Sequence, residues 1–417
     1  MTAERQLGGV SPNLLAQAYG TPLLVLDTDV LDAAIATFAG LAAEFDIDVC
    51  YAGKALLFVA LARRLAAGPL GLDVCSLGEL LTGERAGMPA ARMVLHGCGK
   101  TSAELEAAAS GRVGRVVVDH ADELQALAAL ARSERPVKIL LRVNTGIEAH
   151  THAYVRTGGE DSKFGFPLDE LDAAVVAALG APGLRLAGLH SHLGSQIFEG
   201  SPYRASLAVL LDAYAAARER GAPHGELVVG GGFGVDPHPN GDRFGLHAIF
   251  SELRDDLAAL ARSSGVAPPR LGIEPGRAIV AQAGSSLYRV VAVKRQGARR
   301  FAIVDGGIAD NPRPALYGAY HHPELAGRTS GAPLEEFTIC GRSCENDRLV
   351  VARLPRDLRT GDLLTLATTG AYTYSMASNY NRFGRPAVVF AGAGKHREVV
   401  RREQPEDVLR NDVTDAD

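Results

Sequence analysis

The chain of 417 residues contains no tryptophan, few aromatics and no apolar run of membrane length. The missing tryptophan and the abundant alanine say nothing about function. The missing apolar run says more. No stretch reaches ~18 residues without a charge or a breaker, so a transmembrane helix is not expected. The opening Met1-Thr2-Ala3-Glu4-Arg5-Gln6 lacks the hydrophobic region of a signal peptide. Positive charge is not in excess either. With 43 Lys and Arg against 48 Asp and Glu, the net charge is −5, which removes the basic field that nucleic acid or an anionic membrane needs. Phosphate can still be bound locally through backbone N–H groups. The five cysteines, Cys50, Cys75, Cys98, Cys340 and Cys344, are odd in number and form no metal-type CxxC pair. Reduced thiols in a cytoplasmic enzyme fit that pattern.

What is present is a regular alternation. Short β-rich runs at 47–52, 71–75, 92–96, 115–119, 137–144, 184–190, 226–230 and 270–274 alternate with helical ones rich in alanine and leucine. Eight strands, each followed by a helix, predict an α/β fold with a (β/α)8 barrel over 30–285. An amphipathic helix at 29–45 precedes the first strand. Strands such as Val116-Val117-Val118 are apolar throughout, as strands covered on both faces should be. After about 285 the runs become short and are separated by Gly/Pro turns, which predicts a mostly antiparallel β domain. That domain is expected to comprise 286–417 plus 1–29, with Pro22–Leu26 supplying a strand.

Barrel enzymes draw their reactive groups from the C-terminal ends of the strands, and here nearly every such end carries a polar residue or glycine. The first carries Lys54, an amine where a cofactor aldehyde could form a Schiff base; a solvated surface lysine is the other reading. The next three end at Asp73, at His96-Gly97 and at Asp119-His120. The fifth gives Arg142 and Asn144, and the sixth His190-Ser191-His192 with Gly194-Ser195. The seventh runs into Gly230–Gly234 and the eighth into Glu274-Pro275-Gly276-Arg277. The glycine run suits a phosphate cradle, because backbone without Cβ atoms approaches an anion closely; a tight connection is the alternative. Its spacing is not that of a dinucleotide fingerprint. Glu274 fits either a partner for a protonated pyridine nitrogen or an ion pair with Arg277. The His190/His192 pair fits a metal, a ring stacked on a flat cofactor or a core histidine, and no carboxylate stands at a zinc-motif spacing from it. Glu148–His152 and His321-His322 read as loop or surface segments.

In the β domain, Cys344 lies in the turn-like Gly341–Asp347 and suits a proton donor to a carbanion or an inert thiol. Arg313 and Tyr317 suit a carboxylate fork or a proline-braced turn.

Ten stretches together carry a resemblance: YAGKA (51–55), DVCSLGEL (73–80), HGCGK (96–100), GIEAHTHAYVRTGGEDSKFGF (146–166), GLHSHLGSQIFE (188–199), GGGFG (230–234), EPGR (274–277), NPRPALYGAY (311–320), SCEND (343–347) and TGAYTYSMASNYNR (369–382). With them the chain resembles the diaminopimelate decarboxylases, pyridoxal-phosphate enzymes of fold type III (the alanine racemase-like fold), over nearly its whole length. The resemblance implies that Lys54 forms the Schiff base, His192 stacks on the ring, and Asp73 and Glu274 lie about the cofactor, Glu274 at the pyridine nitrogen. It implies a phosphate site from Ser195, Gly231, Gly232, Gly234, Gly276, Arg277 and Tyr372. It further implies that Arg277, Arg313, Tyr317, Glu345 and Tyr372 hold the substrate and that Cys344 returns a proton to its α-carbon. In this family the residues matching Cys344 and Glu345 reach across a head-to-tail dimer, so a homodimer with shared active sites is implied.

The reaction so implied is decarboxylation of meso-2,6-diaminopimelate to L-lysine, with no metal, nucleic acid or membrane involved. The alternative is a decarboxylase of the same fold acting on ornithine, lysine or a secondary-metabolite precursor. One departure bears on that choice. The family pattern is Cys-Glu-Ser-Gly-Asp, whereas Asp347 follows Cys344 by three residues, a contraction within the substrate loop.

Overall fold

A computed structural model describes residues 5–147, 162–238 and 245–413. The histidines at 150 and 152, and most of the 146–166 stretch, lie outside the described residues. The chain divides into two compact units: 35–235 with 243–278, and 1–34 with 236–242 and 279–417. The second unit opens the chain with α1 (Pro12–Tyr19) and β1 (Leu23–Asp27), and α2 (Thr28–Phe45) runs from it into the first.

The first unit is a closed parallel barrel of β2 (Asp48–Ala52), β3 (Gly71–Val74), β4 (Met93–Leu95), β5 (Arg115–Val118), β6 (Val137–Arg142), β7 (Leu184–His190), β8 (Glu226–Val228) and β9 (Arg270–Ile273). Between them run α3 (Val59–Ala66), α4 (Leu77–Ala86), α5 (Ser102–Ala109), α6 (Ala121–Leu130), α7 (Leu168–Gly180), α8 (Ser201–Glu219) and α9 (Leu246–Ser263). Strand side chains alternate between the helix layer and the interior. Cys50, Val94, Val117, Leu140 and Val228 accordingly meet as an apolar plug with Ala187 packed against it.

Side chains at the strand ends start the helices. Ser76 Oγ accepts the Glu79 N–H, Thr101 and Glu104 form a reciprocal capping box, and His120 Nδ1 accepts the Glu123 N–H. The helix after the first barrel strand begins only at Val59. Residues Gly53–Ala55 form a separate 3-10 turn, and Leu56 and Phe58 are extended. Lys54 therefore stands on its own short turn.

The second unit continues with α10 (Arg277–Val280), β10 (Gly284–Gln296), β11 (Arg299–Val304), α11 (Arg313–Tyr317), β12 (Pro323–Ala326), β13 (Leu334–Cys340), β14 (Arg348–Pro355), β15 (Leu363–Ala367), β16 (Ala387–Gly392), β17 (Lys395–Val400) and α12 (Pro405–Leu409). Its strands form one sheet in the order β14-β13-β11-β10-β1-β16-β17, with β15 pairing both β10 and β12. Pairings are antiparallel except β1 with β16 and β11 with β13. Strand β1 indeed joins this sheet. Strands β12, β14 and β17 were not foreseen; β17 begins Lys-His-Arg-Glu, the charged composition of an edge strand. The surface reading of His321 is also corrected: it is buried, with Nδ1 3.3 Å from the Ala367 carbonyl.

Candidate active site

Lys54 is exposed on its turn after β2. Two glycines shape that turn. A Cβ on Gly53 would lie 2.7 Å from the Asp73 carbonyl, and one on Gly276 would press within 3.1 Å of Ala55 and 3.2 Å of Ala52. The Glu274–Arg277 segment thus seats directly beside Lys54, and the Ala52 N–H donates to the Pro275 carbonyl at 3.1 Å. Burial, then the Lys54 and Arg142 charges, push the His192 pKa well down. The ring is neutral, and its Nδ1 accepts the Gly231 N–H at 3.1 Å. A neutral flat ring held edge-on to the backbone suits stacking.

His190 points elsewhere. Its Nε2 lies 3.0 Å from Glu274 Oε2, while His96 Nε2 lies 3.2 Å from Glu274 Oε1 and 3.6 Å from Asp73 Oδ1. The sequence spacing offered His190 no carboxylate; folding supplies Glu274 from the end of β9, the next strand but one, and adds His96 from the end of β4. Burial alone would discharge His96, but Glu274 and Asp73 outweigh it and hold its pKa at about 9. Burial takes His190 down to about 4, partly opposed by Glu274. Burial also works against the Glu274 charge, yet His190 and His96 hold its carboxyl well below the usual range. Asp73 is raised to about 6 by burial and by Glu274. At neutral pH the group is therefore an imidazolium between two carboxyls, with a neutral histidine donating to Glu274.

The loops after β7 and β8 are knitted together. The Ile197 N–H donates to the Gly232 carbonyl at 3.0 Å and the Gly234 N–H to the Ile197 carbonyl at 2.9 Å. Gln196, at φ +61°, adds a two-point clamp on Val235: its amide donates to the carbonyl at 3.1 Å and accepts the N–H at 3.0 Å. A Cβ on Gly231 would fall 1.9 Å from the Glu274 carbonyl, one on Gly232 2.3 Å from that of Gly194, and one on Gly234 2.6 Å from the Phe198 ring. Close packing alone requires these glycines. Arg277 Nη2 donates to Ser195 Oγ at 2.9 Å.

In the second unit, Arg313 is buried with its guanidinium 5.0 Å from the Tyr317 ring and 5.4 Å from that of Tyr372. Tyr372 has φ +59°, a strained backbone for a bulky residue and a frequent mark of functional positions. Cys344 and Glu345 are exposed; Asn381 Oδ1 accepts the Cys344 N–H at 3.2 Å, and the Tyr380 hydroxyl donates to Glu345 Oε1 at 2.7 Å. Asp347 turns inward. It accepts the Ile308 N–H at 2.8 Å and the Ser343 hydroxyl at 2.6 Å, over Gly307 and Gly341 whose Cβ atoms would collide with it. The shortened loop uses this aspartate as its base.

Two ligand chemistries suit the barrel group. His96, His190 and Glu274 bring three donor atoms within 4.8 Å of one another, close enough for a metal ion. The residues fit pyridoxal phosphate better: an exposed amine, a neutral histidine, a glycine cradle and an ionised buried carboxylate. Asp73 Oδ1 and His96 Nε2 are also buried without an aligned hydrogen bond among the described residues.

Comparison with known proteins agrees. Residues 31–281 match the family model described as "Pyridoxal-dependent decarboxylase, pyridoxal binding domain", which defines the chain as a pyridoxal-phosphate-dependent carboxy-lyase. The chain is 44% identical over 414 residues to the diaminopimelate decarboxylase of Actinosynnema pretiosum, covering 98% of this chain and 93% of that protein. It is 37% identical to that of Bacillus subtilis, over 98% and 95%. The solved structure of Helicobacter pylori diaminopimelate decarboxylase complexed with L-lysine superposes with a TM-score of 0.88 at 29% identity, over 95% of this chain and 98% of that one. The chain belongs to the diaminopimelate decarboxylase family.

Proposed function

We propose that the enzyme removes carbon dioxide from meso-2,6-diaminopimelate to form L-lysine, with the barrel unit holding the cofactor and the β unit reading the substrate. The observation that carries this reading is the pair of opposite charges prepared in the β unit. Arg313 is buried between two tyrosines and Glu345 is exposed and braced by Tyr380. Recognition of a distal amino-acid centre calls for both signs, and a substrate ending in a simple amine does not.

Lys54 holds the cofactor through its aldehyde. Ser195, Gly231, Gly232, Gly234, Gly276, Arg277 and Tyr372 would hold its phosphate, His192 would stack on it, and Asp73 and Glu274 would face its ring nitrogen. When bound, pyridoxal phosphate supplies a ring that takes up the electron pair left as carbon dioxide departs. Glu274, kept anionic by its histidines, keeps a proton on the ring nitrogen; Arg277, Arg313, Tyr317, Glu345 and Tyr372 orient the substrate. Cys344 delivers a proton to the α-carbon. A homodimer in which Cys344 and Glu345 serve the partner's site, in the cytoplasm, completes the reading.

The test is a panel of meso-diaminopimelate, lysine and ornithine with cofactor-loaded protein, scored by carbon dioxide release and by lysine formation. Turnover of the first alone is expected. A preference for ornithine or lysine would transfer the enzyme to the alternative class.

A further inference from the structure

The inner face of the barrel has a second chemically distinct layer at its N-terminal end. Two residues before the apolar plug stand Asp48, Arg115, Lys138, Arg185 and Glu226, on the same inward face of their strands, and Arg92, in the 3-10 turn that leads into β4. Arg270, in register with Glu226, joins them. All line one cavity of about 600 Å³, floored by Gly71, Gly114 and Gly225. Five cations thus face two carboxylates in a chain whose net charge is −5.

The carboxylates are committed. Asp48 pairs with Arg115 at 2.5 Å, and Glu226 binds the same guanidinium. Arg92 is consumed as well, donating to the carbonyls of Leu65, Ala66, Gly68 and Leu70. Among the described residues Arg270 pairs with the exposed Asp46 alone, at 3.8 Å. Lys138 and Arg185 have no carboxylate within ion-pair distance among the described residues. They are nevertheless register partners on adjacent strands, where like charges repel. A concave site with two cations unpaired among the described residues and a third only loosely paired, at the end of the barrel opposite Lys54, is built to receive an anion.

We propose that this mouth binds a small organic phosphate. Its volume is that of a small-molecule site. A lysine point charge beside arginine forks matches clustered phosphate oxygens.

The experiment uses holoenzyme with the cofactor reduced onto Lys54 by borohydride, so that the phosphate cradle is already filled. Titration calorimetry at low salt uses inorganic pyrophosphate as probe, citrate as the carboxylate control, and the double variant Lys138→Gln/Arg185→Gln, with circular dichroism confirming its fold. Saturable binding of one pyrophosphate per chain is expected, weakened at least tenfold in the double variant and also by added salt, with decarboxylation unchanged. Absent binding, equal affinity in the double variant, or binding of citrate without pyrophosphate would overturn the assignment.

Discussion

Replacing His96 by glutamine removes the cation between Asp73 and Glu274, and the structure states how the loss should depend on pH. The folded pKa of His96 is about 9 against an ordinary value of 6.5. At about 1.4 kcal/mol per unit, the difference is a stabilisation on the order of 3 kcal/mol. Because the folded value is the higher one, this stability is fully present below about 6.5 and lost as pH rises through about 9. Glutamine carries no such contribution. Without the imidazolium, Asp73, already raised to about 6, is left beside Glu274 and rises further. The gap between native protein and His96→Gln should therefore be about 3 kcal/mol near neutrality and shrink to below about 1 kcal/mol by pH ~10. Urea denaturation of cofactor-free protein across that range measures it, followed by circular dichroism because the chain has no tryptophan. A gap that stays constant from acid to alkaline pH would refute the charge assignment and leave only a packing effect.

Three further outcomes are expected. Cys344→Ala, on an exposed loop, should lower kcat about 100-fold with an unchanged melting temperature; a parallel drop in melting temperature would make the thiol structural. Gly231→Ala drives a Cβ to 1.9 Å from the Glu274 carbonyl and should strip cofactor during dialysis, read as bound pyridoxal per chain; full retention would contradict the packing argument. Asp347→Ala leaves the Ile308 N–H and the Ser343 hydroxyl without their acceptor, costing about 1–3 kcal/mol and raising KM for the amino acid, and an unchanged KM would mean that the loop keeps its shape without this anchor.

The barrel was legible because its information is local. Apolar runs of strand length alternate with helical ones, and the glycine- and proline-bearing ends fall where the strands stop. Strand β7 matches the apolar run 184–190 residue for residue. The charged strand β17 was missed because an edge strand need not look apolar, and β14 because its buried and exposed positions follow no clean period. The candidate residues were legible individually, since Lys54, Asp73, His192 and Glu274 all stand at strand ends. Their partnership was not. His96, His190 and Glu274 come from three strands, and closure of the barrel rather than any spacing along the chain brings them together. The inward turn of Asp347 was equally hidden, because a loop contraction in sequence does not say which side chain becomes the anchor.

That anchor has a consequence for how such enzymes diversify. The loop from Gly341 to Asp347 is fastened at its foot, where Asp347 grips Ile308 and Ser343 over two glycines, while Cys344 and Glu345 are carried at its outer edge. The foundation and the residues proposed to meet the substrate are thus separate within seven positions. The outer edge behaves as an exchangeable cassette. Under the proposed roles, changes at Glu345 and Asn346 should alter which amino acid is read, while Asp347 keeps the foot of the loop in place.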